Sequence, residues 1–386
     1  MSQDSIWFAT LNDTERAELR AYAGREVLTT PDVLIVGGGI VGAATAYSLS
    51  QQGVQVQVVE AGTLGGLASG ANAGGIWPDQ QGIEYTEAFR NLARRSRDLW
   101  GKLPARDGFD FDWRVNGFVT VDPMHWETSP EDLAMHLLSE GLSAHAIDGE
   151  QVKLLEPHLR SDITGGVHYP SEAHVHPVKA VLSFARASTA QFSTETRAIS
   201  MDVKNGRVQS VQTTAGTIQP GHVIAATGWM ADWFAAQTPT PPPLTPISGQ
   251  MIATAPQPPL LKNTVLGKAI VFQLLTGEVV TGGSMVEGDV TTPDAQVTAD
   301  FAKMAGELLP ALKDVPFPHA WTGARPTTPD RLPILDRLPG VDNFLIAAGH
   351  FKNGLLLAPI TGELMTEWVV AGKPSLDLTS FRWDRF

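Results

Sequence analysis

The apolar and polar positions of this chain set out one clear folding unit near its start. Residues 32–36, DVLIV, are apolar after the first position and read as a buried strand of a parallel sheet, and 54–60, VQVQVVE, reads as a second strand. Between them a glycine turn opens an Ala-rich segment over 40–52 of helical length, so the order is strand, helix, strand: one βαβ unit. Ahead of it, residues 1–30 read as an amphipathic helical appendage, with Thr14 as N-cap and Gly24 as its stop, and no chemistry is assigned to it. Beyond it, 77–150 is mixed and Trp-rich, with helices predicted near 87–103 and 131–141. A strand-rich return begins near Gly166. There VKNGRVQSVQTTAG, 203–216, reads as a hairpin turning at Asn205-Gly206, and 221–228 as a buried strand ending in a tight turn. The prolines of TPTPPPLTP, 238–246, predict a stiff extended crossing and a domain boundary. Residues 247–316 form a second mixed section with strands over 269–275 and 278–282. Last, FLIAA, 344–348, is a short buried strand leading through GHFKNG into a helix that runs to about Val370. No internal repeat is visible.

Composition narrows what such a chain does. At 386 residues it exceeds what one hydrophobic core fills, so two lobes are expected. With 43% hydrophobic and 18% charged residues it buries enough apolar surface to be globular. A formal charge of −13 argues against nucleic acid as a partner, because phosphate binding needs clustered cations. The four Arg within 90–97 are followed by Asp98 and read as a solvated helix face. Cysteine is absent, which excludes disulfides, thiolate metal sites, thiol nucleophiles and a sulfur-tethered cofactor. The first residues do not read as a secretory signal and no apolar run of 18 or more occurs, so a cytoplasmic protein is expected, with peripheral membrane attachment left open.

The glycine turn is the first chemical signal. Gly37, Gly39 and Gly42 form G-x-G-x-x-G around Ile40 and Val41, directly after a strand and opening a helix, with Glu60 closing the next strand. Gly37 permits the tight turn, Gly39 lets a pyrophosphate approach the backbone, and Gly42 lets helix and strand pack closely. Unpaired N–H groups at the helix start face phosphate oxygens, and Glu60 is placed to accept ribose hydroxyls. Dinucleotide binding follows, with FAD and NAD both open at this point.

Downstream matches decide between them. The segment 69–77 (SGANAGGIW), the AATG turn at 225–228, TGARP at 322–326 with the 329–336 segment after it, and AAGHFKNGL at 347–355 stand in a fixed order. With the βαβ unit, this set resembles the D-amino-acid oxidase and glycine oxidase family of flavoenzymes, and in places the flavin subunit of bacterial hydrogen cyanide synthase. The resemblance covers nearly everything from Asp32 onwards. It implies an α/β chain with an α+β substrate lobe: a Rossmann-like FAD-binding domain, discontinuous over 31–80, 150–235 and 320–386, and a second, antiparallel-sheet substrate domain over 81–149 and 236–319. The implied cofactor is FAD, held noncovalently for want of a cysteine. By resemblance, Ala61 adjoins the ribose site and Ser69, Asn72, Ala73, Gly74, Gly75 and Ile76 border the flavin. Ala198 touches adenine, Thr227, Gly228 and Trp229 form the turn beside the cofactor, and Gly349, His350, Phe351, Lys352, Asn353, Gly354 and Leu355 meet its pyrimidine edge. The residues themselves agree in part. Positions 72–75 are small enough for a flat ring to lie on backbone, and a helix start near Gly354 favours negative charge.

The resemblance makes Arg325 the group that forks onto a substrate carboxylate. A planar five-donor cation on a Gly/Pro-bounded stretch suits that grip, while a structural salt bridge is the plainer alternative. Two positions depart from the family. Ile270 stands where a substrate-facing Tyr is expected, and Lys352 replaces the Arg of GHFRNG. Lys352 is either a partner for a second acidic group or for oxygen chemistry beside the flavin, or a solvated surface charge. His174 and His176 form H-x-H without a third ligand, so no metal is expected. His350 either touches the flavin through its backbone or is structural, and Trp100, Trp113 and Trp126 read as core. The implied reaction is oxidative deamination of a primary or secondary amine bearing an acidic group, glycine-like or a D-amino acid, by hydride transfer to flavin N5. The imine then hydrolyses to an oxo acid, and O2 reoxidises the flavin. Two alternatives stand beside it: a dehydrogenase passing electrons to a quinone or partner subunit, and a noncatalytic FAD-holding subunit. A homo-oligomer or hetero-oligomeric complex is left open.

Overall fold

A computed structural model describes residues 5–82, 84–121, 129–235 and 242–386. Its first sheet has six strands in the order Ile334–Arg337, Phe344–Ala348, His222–Ala225, Val33–Val36, Val56–Val59, Gln191–Ser193. All neighbours are parallel except the pair Ile334–Arg337 with Phe344–Ala348. Val33–Val36 is buried at every position, as a central parallel strand covered on both faces must be. A three-stranded antiparallel sheet, Ala198–Lys204, Arg207–Thr213 and Gly216–Ile218, adjoins it. Its first turn carries Asn205 and Gly206 at φ of 52° and 71°, the left-handed pair of a two-residue hairpin.

The second large sheet has nine strands and is mostly antiparallel, centred on Thr245–Ala253, Val279–Gly282, Ile270–Gln273 and Thr264–Leu266. Two of its members correct the expected boundaries. Gly165–Tyr169 pairs with Phe118–Val121 and His145–Asp148, so sequence assigned to the nucleotide lobe from 150 onwards belongs to this sheet. His319–Thr327 pairs along its whole length with Thr245–Ala253, so the return to the nucleotide lobe comes after residue 327 rather than at 320. That strand begins inside the proline segment, whose residues 238–241 lie outside the described residues, as does Trp126.

The longest helix, Gly354–Ala371, lies against helices Ile40–Ser50 and Glu87–Lys102, and the carbonyl of Ala44 sits 2.7 Å from where Gly362 would carry a Cβ. It is long and apolar enough to cross a membrane by composition, yet it is largely buried in the protein from Leu355 to Thr366. Pro359 stands inside it without an N–H, which frees the Leu355 carbonyl. The buried Trp100 indole donates to that carbonyl and to Leu356 O, both at 3.1 Å, so its burial and its one polar atom are both accounted for.

Residues 5–30 form the expected helical segment and pack into the body of the protein. The N-cap of helix Asp13–Ala21 is Asn12, in a reciprocal capping box with Glu15, instead of Thr14. Ile6 and Trp7, in the short helix Ile6–Ala9, are each 1% exposed.

Candidate functional site

The turn after Val33–Val36 is shaped by its glycines. Gly37 has φ of 112°, and a Cβ on Gly42 would fall 2.0 Å from the Gly37 carbonyl, so helix Ile40–Ser50 starts hard against the turn. The N-cap, Gly39, offers no side-chain cap. Ser69 Oγ accepts from Ile40 N at 2.9 Å, while the Val41 and Gly42 N–H groups have no hydrogen-bond partner among the described residues. Donors left open at a helix start fit a pyrophosphate. Glu60 accepts Gly38 N on Oε2 at 2.8 Å and Gly62 N on Oε1 at 2.7 Å. Burial pushes its carboxyl up against those bonds, and each oxygen keeps a lone pair for a hydroxyl. Ala61 follows at the surface, and Ala198 is buried at the start of its strand.

The segment from Ser69 to Ile76 is held from outside itself. Three consecutive carbonyls each accept from a distant side chain: Gly70 O from Ser5 Oγ at 2.6 Å, Ala71 O from Trp321 Nε1 at 3.1 Å, and Asn72 O from Trp7 Nε1 at 2.6 Å. The Asn72 amide closes the turn internally, accepting Gly74 N and donating to Ser69 O, each at 2.7 Å. Gly74 has φ of 72°, and Gly75–Ile76 pairs with Ala173–His174. The Asn72 and Ala73 N–H groups have no partner among the described residues, which leaves backbone donors for a flat acceptor-rich ring.

At the C-terminal side, Gly349 turns with φ of 73°, and Phe351 is buried with φ of 50° under the Arg331 guanidinium. Asn353, N-cap of helix Gly354–Ala371, gives its amide to Tyr85 Oη at 2.8 Å and leaves the helix start uncapped. His350 meets Thr361 Oγ1 at 3.2 Å, and burial lowers its pKa to about 4. Lys352 turns away to Glu84, with Nζ 2.7 Å from Oε2. In the AATG turn, the Thr227 hydroxyl donates to Met230 O, Gly228 lies near Pro326, and Trp229 is half-buried.

Arg325 lies on the face of His319–Thr327 that also carries Trp321 and Gly323, because side chains alternate along a strand. A Cβ on Gly323 would fall 2.4 Å from Ala71 Cβ, so this strand presses directly on the loop above. The guanidinium lies over Gly249 of the neighbouring strand and donates from Nη1 to Ser284 O at 3.1 Å. No carboxylate pairs with it among the described residues, and burial alone lowers its pKa. Ile270 faces Gly282 two strands further along, packed against the cluster of Trp77, Phe118 and Tyr169. His174 and His176 are used in packing: His176 caps helix Pro177–Arg186 by accepting Lys179 N, and His174 lies 4.7 Å from the Phe272 ring. Sequence reasoning missed Trp7, Trp321, Gly249 and Gly323. The Gly323 and Arg325 spacing was a readable signal for one strand face, whereas nothing local marks Trp7.

The chain matches the family described as FAD dependent oxidoreductase (DAO) over residues 32–368. It is 29% identical to the glycine oxidase of Bacillus subtilis over 365 residues, covering 92% of this chain and 97% of that one. It is 27% identical to the hydrogen cyanide synthase subunit HcnC of Pseudomonas aeruginosa, covering 92% and 96%. In three dimensions it superposes on glycine oxidase from Geobacillus kaustophilus with a TM-score of 0.84 at 26% identity, covering 93% and 100%.

Proposed function

The chain belongs to the family of FAD-dependent oxidoreductases that it matches over residues 32–368, and from that premise we propose that it oxidises an amine carrying a carboxylate, glycine-like or a D-amino acid. It is an FAD-dependent amine or amino-acid oxidoreductase; the acid-bearing substrate and the acceptor, O2, are the finer reading. One observation carries it: Arg325 is a half-buried cation, desolvated enough to lower its pKa, with no carboxylate partner among the described residues, on the face that packs against the loop at Ala71. An unpaired buried charge is costly, and a ligand carboxylate is the group that satisfies it.

FAD, which the Gly37–Gly42 turn, Glu60 and the loop from Ser69 to Ile76 would hold, would supply the two-electron acceptor for the C–N oxidation, with O2 as the final acceptor. Arg325 grips the acid with two parallel N–H donors, which fixes the position of the carbon bearing the amine. Gly249 keeps the space under that guanidinium clear of a side chain, and Gly323 lets the strand press against Ala71. Ile270 contributes no hydrogen bond, so more of the orientation falls on Arg325. Met251 and Trp321, on the two strands that carry Gly249 and Arg325, are buried, and an apolar wall there would favour the neutral amine that the oxidation needs. Lys352, paired to Glu84, takes no part. The work is done in the cytoplasm, with the apolar helix Gly354–Ala371 serving as core.

The test is anaerobic mixing of the yellow protein with a panel of amino and imino acids, followed by peroxide measurement in air. Arg325→Ala should lose about 3–4 kcal/mol of transition-state binding, roughly 10²–10³-fold in kcat/KM for the amine that bleaches the flavin best. An unchanged kcat/KM overturns the role of Arg325. Bleaching without peroxide moves the acceptor to a quinone or protein.

A further inference from the structure

We propose that the N-terminal segment is a strap that positions the cofactor, with Trp7 and Ser5 fixing the backbone of the flavin-bordering loop from below. Residues 5–31 precede the family match, which begins at 32, so this contact is a feature of this chain rather than of the matched region.

The geometry is specific. Ser5 and Trp7 donate to Gly70 O and Asn72 O, two of the three consecutive loop carbonyls held by distant side chains. The Phe8 ring fills the space beside Gly70, where a Cβ would meet it at 2.6 Å. With those carbonyls held, the Asn72 and Ala73 N–H groups, without a partner among the described residues, are kept available to a ligand. Trp7 also reaches the other lobe. Its ring stacks on Phe272 with centroids 6.3 Å apart and 10° between planes, and meets His176 edge-on at 5.1 Å. Phe272 shares a strand face with Ile270, two residues away, so one indole touches the cofactor loop and the strand that walls the substrate.

The segment is anchored well enough to act on its neighbours. Thr10 Oγ1 lies 3.2 Å from His176 Nε2, and Glu15 and Glu18 pair with Lys179 and Arg186 at 3.5 and 2.7 Å. Trp7 is therefore a positioning residue: it acts on FAD through Asn72 and on the substrate wall through Phe272.

Trp7→Phe keeps the ring stacked on Phe272 and removes only the N–H to Asn72 O, and Ser5→Ala removes the second donor. In the full chain, the FAD dissociation constant should rise roughly 3- to 10-fold for each lost bond. The visible circular dichroism of the bound flavin should change and its midpoint potential should shift, with the thermal midpoint of the FAD-free chain moving little. Wild-type FAD affinity, flavin dichroism and potential in both Trp7→Phe and the double variant overturn the proposal. A fall in thermal midpoint alone does so equally, because that is what a purely structural contact would give. Should the double variant fail to fold, Trp7→Phe decides by itself. None of these readouts uses an amine, so a failed substrate panel leaves the test standing.

Discussion

Gly249→Ala isolates the placement of Arg325 from its presence. Gly249 is not in the left-handed region, so alanine adopts its backbone, but the new Cβ falls 2.4 Å from both Nη1 and Nη2 of Arg325 and 2.6 Å from Ser284 O. Ordinary contact is ~3.5 Å, so the guanidinium must withdraw by about 1 Å. It sits at the end of a flexible side chain and yields easily, whereas the Ser284 carbonyl is backbone and must shift with its segment. The stability cost should therefore sit at the low end of overpacking, about 1 kcal/mol. The catalytic cost should be larger, because a displacement of ~1 Å in a positioned group costs roughly 10²-fold. Anaerobic stopped-flow reduction by the best amine of the panel, followed against its concentration, gives the rate, and a flavin titration should show unchanged FAD affinity. The double variant Gly249→Ala/Arg325→Ala should be no slower than Arg325→Ala, since the clash has nothing left to displace. Wild-type kcat/KM in Gly249→Ala, or additive losses in the double variant, would refute the assignment of this guanidinium position to substrate binding.

Two further outcomes follow from side chains of the GHFKNG turn. Lys352→Met breaks only the partly exposed pair with Glu84, so stability should fall by no more than about 1 kcal/mol and kcat/KM should stay within a few-fold, whereas a large loss in kcat would return Lys352 to the chemistry. His350, with its pKa lowered to about 4 by burial, is neutral in the fold and binds its proton more readily when unfolded, near pH 6.5. Its contribution is full above that value and is lost as pH falls from 6.5 towards 4, by about 3 kcal/mol at most. The buried carboxyls of Glu172 and Glu156, raised by desolvation, work in the opposite direction, so the readout is a difference. Urea unfolding of His350→Gln with saturating FAD should show a shallower loss over that window than wild type, and equal slopes would refute it.

What was legible in the sequence is what local chemistry decides. The strand at 344–348 and the hairpin at Asn205-Gly206 follow from short apolar runs and from a residue pair that tolerates positive φ. The glycines at 37, 39 and 42 carry their own geometry, so the tight turn that opens helix Ile40–Ser50 could be read before any contact was known. Sheet membership could not. Gly165–Tyr169 and His319–Thr327 are sparsely apolar, and their place in the nine-stranded sheet is set by partners distant in sequence, such as Phe118–Val121 and Thr245–Ala253. The same reason hid Trp7. Its amphipathic surroundings predict a helix packed on something, and only the fold names Asn72 and Phe272 as what it meets.

These long-range contacts are what join the two lobes at the site. The strand His319–Thr327 presents a bulky, an absent and a cationic side chain in turn, at Trp321, Gly323 and Arg325. The first bonds Ala71 O and the second touches Ala71 Cβ, so the strand cannot slide along the loop without losing both. Arg325 then projects about 7 Å beyond Gly323, two strand positions on. On the far side of the same loop, Trp7 bonds the next carbonyl and stacks on the Ile270–Gln273 strand. Two indoles on adjacent carbonyls thus tie the strand of Arg325 and the strand of Ile270 to one loop. The proposed hydride transfer would tolerate little variation in donor–acceptor distance, and a loop bonded by both indoles suits that demand better than a hinge between lobes.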